Sequence, residues 1–128
     1  MPKLPLLPLL AGAALAAAVV ANAGADEAPA EGKKVFTRQC VSCHIDAAEG
    51  PRRLGPTLFG VVGRKTGSVE GFRYTEANKN AAWVWTPEKL NEYLKNPREV
   101  IPGTNMAFAG IRSDNDRANL IEYLKTLK

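Results

Sequence analysis

The chain has 128 residues and a formal net charge of +4, and it contains two cysteines, one histidine and two methionines. This length is typical of one domain with a single core. The excess of positive charge is modest, so it predicts no nucleic-acid partner, although it can orient docking onto an acidic protein surface.

Residues 1–23 have the pattern of a secretory signal peptide. Lys3 precedes a nearly unbroken apolar run from Leu4 to Ala21. Small residues at the end of this run allow cleavage after Ala23 or Ala25. The leader therefore predicts export from the cytoplasm, most simply to a bacterial periplasm.

A retained membrane anchor is the alternative for this segment, because the apolar run approaches the ~20 residues that a spanning helix needs. Pro5 and Pro8 interrupt its first half, however, which favours cleavage. A short extension over residues 24–30 and a single domain over residues 31–128 then follow.

Three segments of the domain have the hydrophobic periodicity of amphipathic helices, and none predicts a strand. They run from Glu31 to about Cys43, from Thr86 to Asn96, and from about Ser113 to the C-terminus. Thr86 and Ser113 are residue types that cap helix N-termini. The fold class expected is all-α, with three main helices, some short ones and long loops. Loops of this length suggest that something other than protein fills the centre, because they need a surface on which to pack.

The sequence "CVSCH", which contains Cys40, Cys43 and His44, allows four interpretations. A closed zinc site needs four Cys or His ligands, and the chain has only these three. A thioredoxin-like pair is expected beside a βαβ pattern, which is missing here. A disulfide suits an oxidising compartment, but closing so short a loop adds little stability.

The fourth interpretation is covalent attachment of one c-type haem, for which C-x-x-C-H is the signature. Each thiol adds to one vinyl group, and two intervening residues match the separation of the vinyl groups. His44 then lies beneath the ring and can donate its imidazole to iron as the proximal ligand. We favour this interpretation, with a disulfide as the alternative.

The second axial ligand follows by elimination. The only histidine is already used, and Met1 belongs to the predicted leader, so Met106 is the remaining thioether. It lies in the turn-rich segment "IPGTNMAFAG" instead of on a helix stripe, which argues against a role as core filler. His and Met ligation raises the iron potential. With both axial positions filled, the site transfers one electron and has no catalytic residue.

The motifs "CVSCH", "LGPTLFGVVGRKTG", "GFRYTEANKN", "WTPEKLNEYLKNP", "IPGTNMAFAG" and "RANLIEYLK" resemble, in the same order, those of class I cytochrome c of the mitochondrial and alphaproteobacterial kind. The resemblance covers nearly all of the mature chain. It implies an all-α domain wrapped around one haem, with crossed first and last helices that meet at Gly32, Phe36, Leu120 and Tyr123.

The resemblance also implies roles for individual residues. Pro56 would accept a hydrogen bond from His44. A haem propionate would be surrounded by Arg64, Tyr74 and Trp85, and a polar network beside Met106 would consist of Asn78, Tyr93 and Thr104. Phe108 would cover the haem edge, whereas Trp83 matches no such role and is expected to pack in the core.

The function implied is that of a monomeric electron carrier. It would shuttle between a membrane cytochrome bc complex or periplasmic dehydrogenase and a terminal oxidase or photosynthetic reaction centre. A small haem peroxidase, a ligand sensor and a membrane-anchored cytochrome are the alternatives. Family members that dock on acidic partners often have Lys where this chain has Gln39 and Asn105, so charge steering is expected to be weaker. The positive charges expected near the haem edge are Arg53, Arg98 and Arg112, with Lys34 and Lys65 nearby.

Overall fold

The computed structural model of the chain describes residues 24–128, together with residues 1, 3 and 5. The rest of the predicted signal peptide lies outside these residues and stays a prediction. Five helices occur in the described part: α1 (Gly24–Gln39), α2 (Glu76–Ala81), α3 (Pro87–Lys95), α4 (Pro97–Val100) and α5 (Asp114–Lys125). An isolated antiparallel bridge between Lys65 and Val84 is the only β-type pairing in that part, which contains no strand. The predicted all-α fold is confirmed.

The predicted caps of α3 and α5 are present. The Thr86 hydroxyl accepts a hydrogen bond from the Lys89 amide at 3.1 Å, and the Ser113 hydroxyl accepts one from the Asp116 amide at 3.1 Å. Each cap satisfies an amide that has no partner within the first helical turn. The two helices therefore begin where the sequence predicts.

The prediction for α1 was wrong at both ends. The helix begins at Gly24 instead of Glu31, and Asp26 and Glu27 in its first turn favour this earlier start because they face the positive helix end. It stops at Gln39, where the Val41 amide bonds at 3.1 Å to the Phe36 carbonyl, five residues earlier, instead of continuing the bonds between residues four apart. The cysteines therefore lie in a turn after the helix.

Helices α1 and α5 cross in close contact. A Cβ atom on Gly32 would lie 1.9 Å from the Asn119 carbonyl oxygen, so only glycine permits this approach. Beside it, the rings of Phe36 and Tyr123 pack with centroids 5.7 Å apart, and Leu120 is only 1% exposed. The crossing brings the two ends of the domain together.

Two further contacts fix α5 against the rest of the molecule. Arg117 is 3% exposed, and its guanidinium donates to the Asn91 side chain of α3 at 3.0 Å and to the Ile111 carbonyl at 2.7 Å. The Tyr123 hydroxyl donates to the Asp46 carboxylate, just after the cysteine turn. Helix α5 therefore contacts both of the chain segments that contain the candidate ligands.

The Tyr123–Asp46 bond predicts a pH-dependent contribution to stability. Burial, and then the hydrogen bond to the Asp46 carboxylate, raises the pKa of Tyr123 from 10.0 to about 12. The folded protein therefore holds this proton more tightly than the unfolded chain. The stabilisation is fully present below pH 10.0 and is lost as the pH rises toward about 12.

Urea unfolding of the wild type and of Tyr123→Phe across this pH range tests the prediction. At neutral pH the variant is expected to lose about 1.5–3 kcal/mol, as for a hydrogen bond to a charged group. The difference between the two proteins should shrink above pH 10.0, because only the wild type has this phenol to deprotonate. A difference that stays constant with pH would contradict the assignment.

Trp83 packs outside the central site, as expected. Its ring meets the ring of Trp85 edge-on with centroids 5.9 Å apart, and the Lys89 ammonium lies 4.9 Å from the Trp83 ring centroid. Its buried Nε1 has no hydrogen-bond partner among the described residues.

No helix within residues 24–128 is long and apolar enough to cross a membrane.

Candidate functional site

The centre of the domain contains a cavity of about 380 Å³. This volume lies within the roughly 300–1,000 Å³ that is common for cofactor and ligand sites. Four of the five described helices and the loops between them contribute to its wall, and α4 does not. Every residue predicted for the site lines this cavity: Cys40, Cys43, His44, Pro56, Arg64, Tyr74, Asn78, Trp85, Tyr93, Thr104, Met106 and Phe108.

The two cysteines enter the cavity from the turn that follows α1. Both are free thiols, with Cys40 buried and Cys43 partly exposed. Burial, and then the nearby Cys43, raises the pKa of Cys40 to about 11, so this group stays a protonated thiol near neutral pH. The two sulfur atoms are not joined in a disulfide.

His44 is held in one orientation and one tautomer. Its ring is 8% exposed, and Nδ1 lies 2.7 Å from the Pro56 carbonyl oxygen. A carbonyl can only accept, so Nδ1 has the proton and Nε2 keeps a free lone pair. Burial lowers the pKa of His44, which favours the neutral imidazole that a metal requires. His44 therefore holds a free Nε2 lone pair in a fixed position, as a metal ligand requires.

Gly55 contributes to the histidine site, although the sequence did not single it out. A Cβ atom there would lie 2.3 Å from His44 Cε1 and 2.6 Å from Nδ1. A side chain at position 55 would therefore displace the imidazole. The only signal in the sequence was the position of this glycine directly before Pro56.

Met106 lies in the loop between α4 and α5, and polar groups surround it. The Tyr93 hydroxyl donates to Met106 Sδ at 3.2 Å, and the Met106 amide donates to the Thr104 hydroxyl at 3.3 Å. Burial raises the pKa of Tyr93, which keeps the phenol protonated and able to donate. Asn78 accepts a hydrogen bond from Thr75 at 2.8 Å, so Thr75 is a member of the network that the sequence missed.

Two glycines fix the course of this loop. Gly103 and Gly110 have positive φ angles of 90° and 99°, which favour glycine. A Cβ atom on Gly110 would also lie 2.1 Å from the Lys95 carbonyl oxygen at the end of α3. The loop is therefore constrained on both sides of Met106.

Arg64, Tyr74 and Trp85 lie together at another part of the wall. The Arg64 guanidinium donates to the carbonyls of Phe59 at 3.0 Å and Thr57 at 2.9 Å. The Tyr74 hydroxyl accepts a hydrogen bond from the Val69 amide at 3.0 Å, which leaves its own proton free to be donated. Burial lowers the pKa of Arg64. Arg64 thus organises its own loop in addition to facing the cavity.

These residues fit a haem. The described part of the wall provides two thiols, an imidazole lone pair and a thioether among apolar side chains. It also has a half-buried arginine, while no Asp or Glu among the described residues lines the cavity. An anionic cofactor would supply the missing negative charge, as the propionates of haem do.

The chain matches the cytochrome c family over residues 29–128. It is 50% identical over 97 residues to a cytochrome c of Euglena viridis, which covers 76% of this chain and 94% of the relative. It is 51% identical over 94 residues to cytochrome c type-1 of Ascaris suum. The aligned region covers 73% of this chain and 83% of that relative. It is also 44% identical over 100 residues to cytochrome c2 of Rhodopila globiformis. The aligned region covers 78% of this chain and 93% of that relative.

The family match covers α1 from Pro29 onward, the other four helices, the cysteine turn and the Met106 loop. The cysteine spacing, the free thiols and the donor set of the cavity agree with it. The chain therefore belongs to the cytochrome c family, and its cofactor is one haem c bound covalently through Cys40 and Cys43.

Proposed function

We propose that this cytochrome c is a periplasmic one-electron carrier in which His44 and Met106 are the two axial ligands. The observation that carries the proposal is that both side chains line the same cavity and each is held there by its own hydrogen bond. When bound, the haem supplies an iron that changes its charge reversibly by one electron.

Hydrogen bonds from the protein would adjust the reduction potential of this iron through both axial ligands. The hydrogen bond from His44 to the Pro56 carbonyl increases the electron donation of the imidazole. The hydrogen bond from Tyr93 to Met106 withdraws electron density from the sulfur, which favours the reduced iron. Because both hydrogen bonds come from fixed groups, little rearrangement is needed when the charge changes.

Arg64, Tyr74 and Trp85 would bind a propionate. Tyr74 has a free proton to donate, and Arg64 supplies positive charge beside it. A charge-assisted bond in so sheltered a place is stronger than one at the surface. These residues would orient the cofactor and offset its negative charge.

The leader supports the location, because its charged start, apolar middle and small-residue end are typical of exported proteins. Export places the carrier between membrane complexes. We propose a cytochrome bc complex or a periplasmic dehydrogenase as the electron donor. The acceptor would be a terminal oxidase or a photosynthetic reaction centre, with transient docking of the monomer at each.

A redox titration of the haem-loaded protein, combined with its ferric spectrum, tests the carrier function. The expected result is low-spin ferric iron and a single one-electron transition at a raised potential. High-spin ferric iron together with turnover of peroxide would contradict the proposal and indicate an open axial position instead.

The mass of the protein purified from the periplasmic fraction tests the location. The mature chain is expected to begin at Gly24 or Asp26, according to which of the two cleavage sites is used. Gly24 and Asp26 both lie in the first turn of α1, so the mature chain keeps the Gly32 contact after either cleavage. An intact leader on a protein found only in membranes would favour the anchored alternative.

A further inference from the structure

Trp83 is an aromatic residue with no part in the haem site. Its side chain packs against the core but is partly exposed, and it does not line the cavity. Its Nε1 is buried and has no hydrogen-bond partner within residues 24–128. Most buried polar groups in folded proteins have a partner, and an exception can reflect a redox role. The indole of Trp83 thus combines access from solvent with an unpartnered N–H.

Trp83 and Trp85 form a rigid pair of indoles. Their ring centroids lie 5.9 Å apart, with the planes at 88°. The Thr66 amide donates to the Trp83 carbonyl at 2.8 Å, and the Trp85 amide donates to the Arg64 carbonyl at 2.8 Å, so the backbone of the pair is fixed. Trp85 is only 8% exposed and lines the haem cavity. Direct aromatic contact therefore connects a partly exposed ring to the cavity wall.

This pair has the chemistry to move an electron. Indoles are, with phenols, the side chains that lose a single electron most readily. The rate of electron transfer falls steeply with distance, so two rings in contact exchange an electron rapidly. Because Trp83 and Trp85 are the same residue type, their surroundings decide which ring keeps the electron and which ring lacks it.

The surroundings disfavour a missing electron on Trp83. The Lys89 ammonium lies 4.9 Å from the Trp83 ring centroid, and a cation that is attracted to a neutral ring repels an oxidised one. Glu92 accepts a hydrogen bond from this ammonium at 2.9 Å, which holds it in place and offsets part of its charge. On the Trp85 side, the charge of Arg64 is offset by the propionate proposed there. The missing electron is therefore favoured to move inward.

The unpartnered N–H prevents the oxidised ring from becoming a trap. An oxidised indole is acidic at Nε1, and loss of that proton to a hydrogen-bonded acceptor would fix the missing electron on the ring. Nε1 of Trp83 has no such acceptor in the described part of the chain. Tyr93, whose ring lies 4.9 Å from that of Trp85, is not a trap either, because its hydroxyl donates to the weakly accepting sulfur of Met106.

We infer that Trp83 is an entry point for small, strongly oxidising radicals, which take one electron from the carrier through Trp83 and Trp85. A radical X• removes one electron from the Trp83 ring and leaves as the anion X⁻. Trp85 then restores Trp83, and the electron that the carrier holds in its reduced state restores Trp85. No proton moves and no bond to either ring forms, so one radical is reduced and the carrier is oxidised by one electron. The inference rests on the proposed carrier function, which supplies the reduced state.

Pulse radiolysis of the reduced, haem-loaded protein in bromide solution tests the path. The probe is the dibromide radical anion, which at neutral pH oxidises indoles in preference to phenols. We expect the transient absorption of oxidised indole to decay in step with a phase of iron oxidation whose rate does not depend on protein concentration. Trp83→Phe should lose most of this phase, because phenylalanine is not oxidised by the probe.

Tyr123→Phe is the matched control for Trp83→Phe. It also removes an oxidisable ring, but this ring packs against Phe36 and does not line the cavity. The control should keep the whole concentration-independent phase. The same phase at full amplitude in Trp83→Phe would overturn the inference.

Peptide mapping by mass spectrometry gives a second readout that does not depend on the iron. After exposure to the probe, the oxidised protein has no electron to return, so Trp83 should gain oxygen. Reduced protein that has been freed of excess reductant should keep Trp83 intact. Equal oxygenation of Trp83 in the two states would overturn the inference. Lys89→Gln should increase oxygenation in the reduced state, and no increase would overturn the role of Lys89.

A redox titration of the wild type and of Trp83→Phe separates this inference from the proposed function. Both proteins should show the same single one-electron transition, because Trp83 does not contact the cavity. Normal titrations together with an undiminished phase in Trp83→Phe would refute the entry point alone. A wild type without a reversible transition would refute the carrier function, whereas oxygenation of Trp83 in the oxidised protein would still report access to that ring.

Discussion

Replacing Met106 by alanine is expected to convert the ferric protein from low-spin to high-spin and to abolish the absorption that arises from charge transfer between sulfur and iron. The described part of the chain has no second histidine, and its only other methionine is Met1. No equivalent ligand is therefore at hand. Because a thioether ligand would stabilise reduced iron, the potential should fall by a substantial part of the roughly 0.8 V range that axial ligands span.

Tyr93→Phe is the control for this experiment. It removes the hydrogen bond to Met106 Sδ but keeps the thioether, so the charge-transfer absorption should persist. The potential should shift in the same direction as in Met106→Ala, but by less, because only the electron withdrawal from sulfur is lost. If Met106→Ala kept both the absorption and the potential of the wild type, Met106 would not be the ligand.

The second large effect is expected at Gly32. An alanine Cβ would lie 1.9 Å from the Asn119 carbonyl oxygen and 2.7 Å from the Tyr123 Cβ, and neither backbone can move without separating α1 from α5. We expect Gly32→Ala to cost about 3 kcal/mol or more, at the upper end of overpacking effects. Such a loss lowers the Tm by roughly 12–24 °C in a domain of this size.

The sign of the stability change in Gly32→Ala distinguishes the effect of the helix contact from that of helix propensity. Helix propensity alone predicts that Gly→Ala inside a helix stabilises by about 1 kcal/mol. Gly24→Ala, in protein that retains residue 24, is the matched control in the same helix, because nothing lies within 4 Å of a Cβ there, and it should change stability by no more than about 0.5 kcal/mol. Thermal unfolding followed by circular dichroism measures both. A stabilised Gly32→Ala protein would show that the helices do not touch at this position.

The parts of the fold that depend on local chemistry were predictable. Thr86 and Ser113 mark helix starts because a hydroxyl accepts from an amide three residues later, and both caps are present. Likewise, the spacing of Cys40, Cys43 and His44 limits the chemistry of the site by itself. The resemblance to a known family added residues such as Pro56 and Tyr93, which spacing alone did not indicate.

The features that were missed depend on contacts between distant parts of the chain. Nothing in the neighbourhood of Asp46 indicates that its carboxylate accepts from Tyr123, and Gly55 matters only because the His44 ring lies against it. The early start of α1 was missed for a different reason, since Asp26 and Glu27 in its first turn are a charge signal that hydrophobic periodicity does not include. Sequence patterns report local preference, whereas these contacts exist only in the folded chain.

The pairing of α1 with α5 affects when folding can be completed during synthesis and export. The surface that Gly32 needs is supplied by Asn119 and Tyr123, near the end of the chain, so the contact closes a loop that spans almost the whole domain. Closing a loop of this length costs entropy that the contact must offset. During synthesis the last helix is the last to emerge. A chain exported from its N-terminus would thus remain unpaired while it crosses the membrane, and folding would be completed only on the far side.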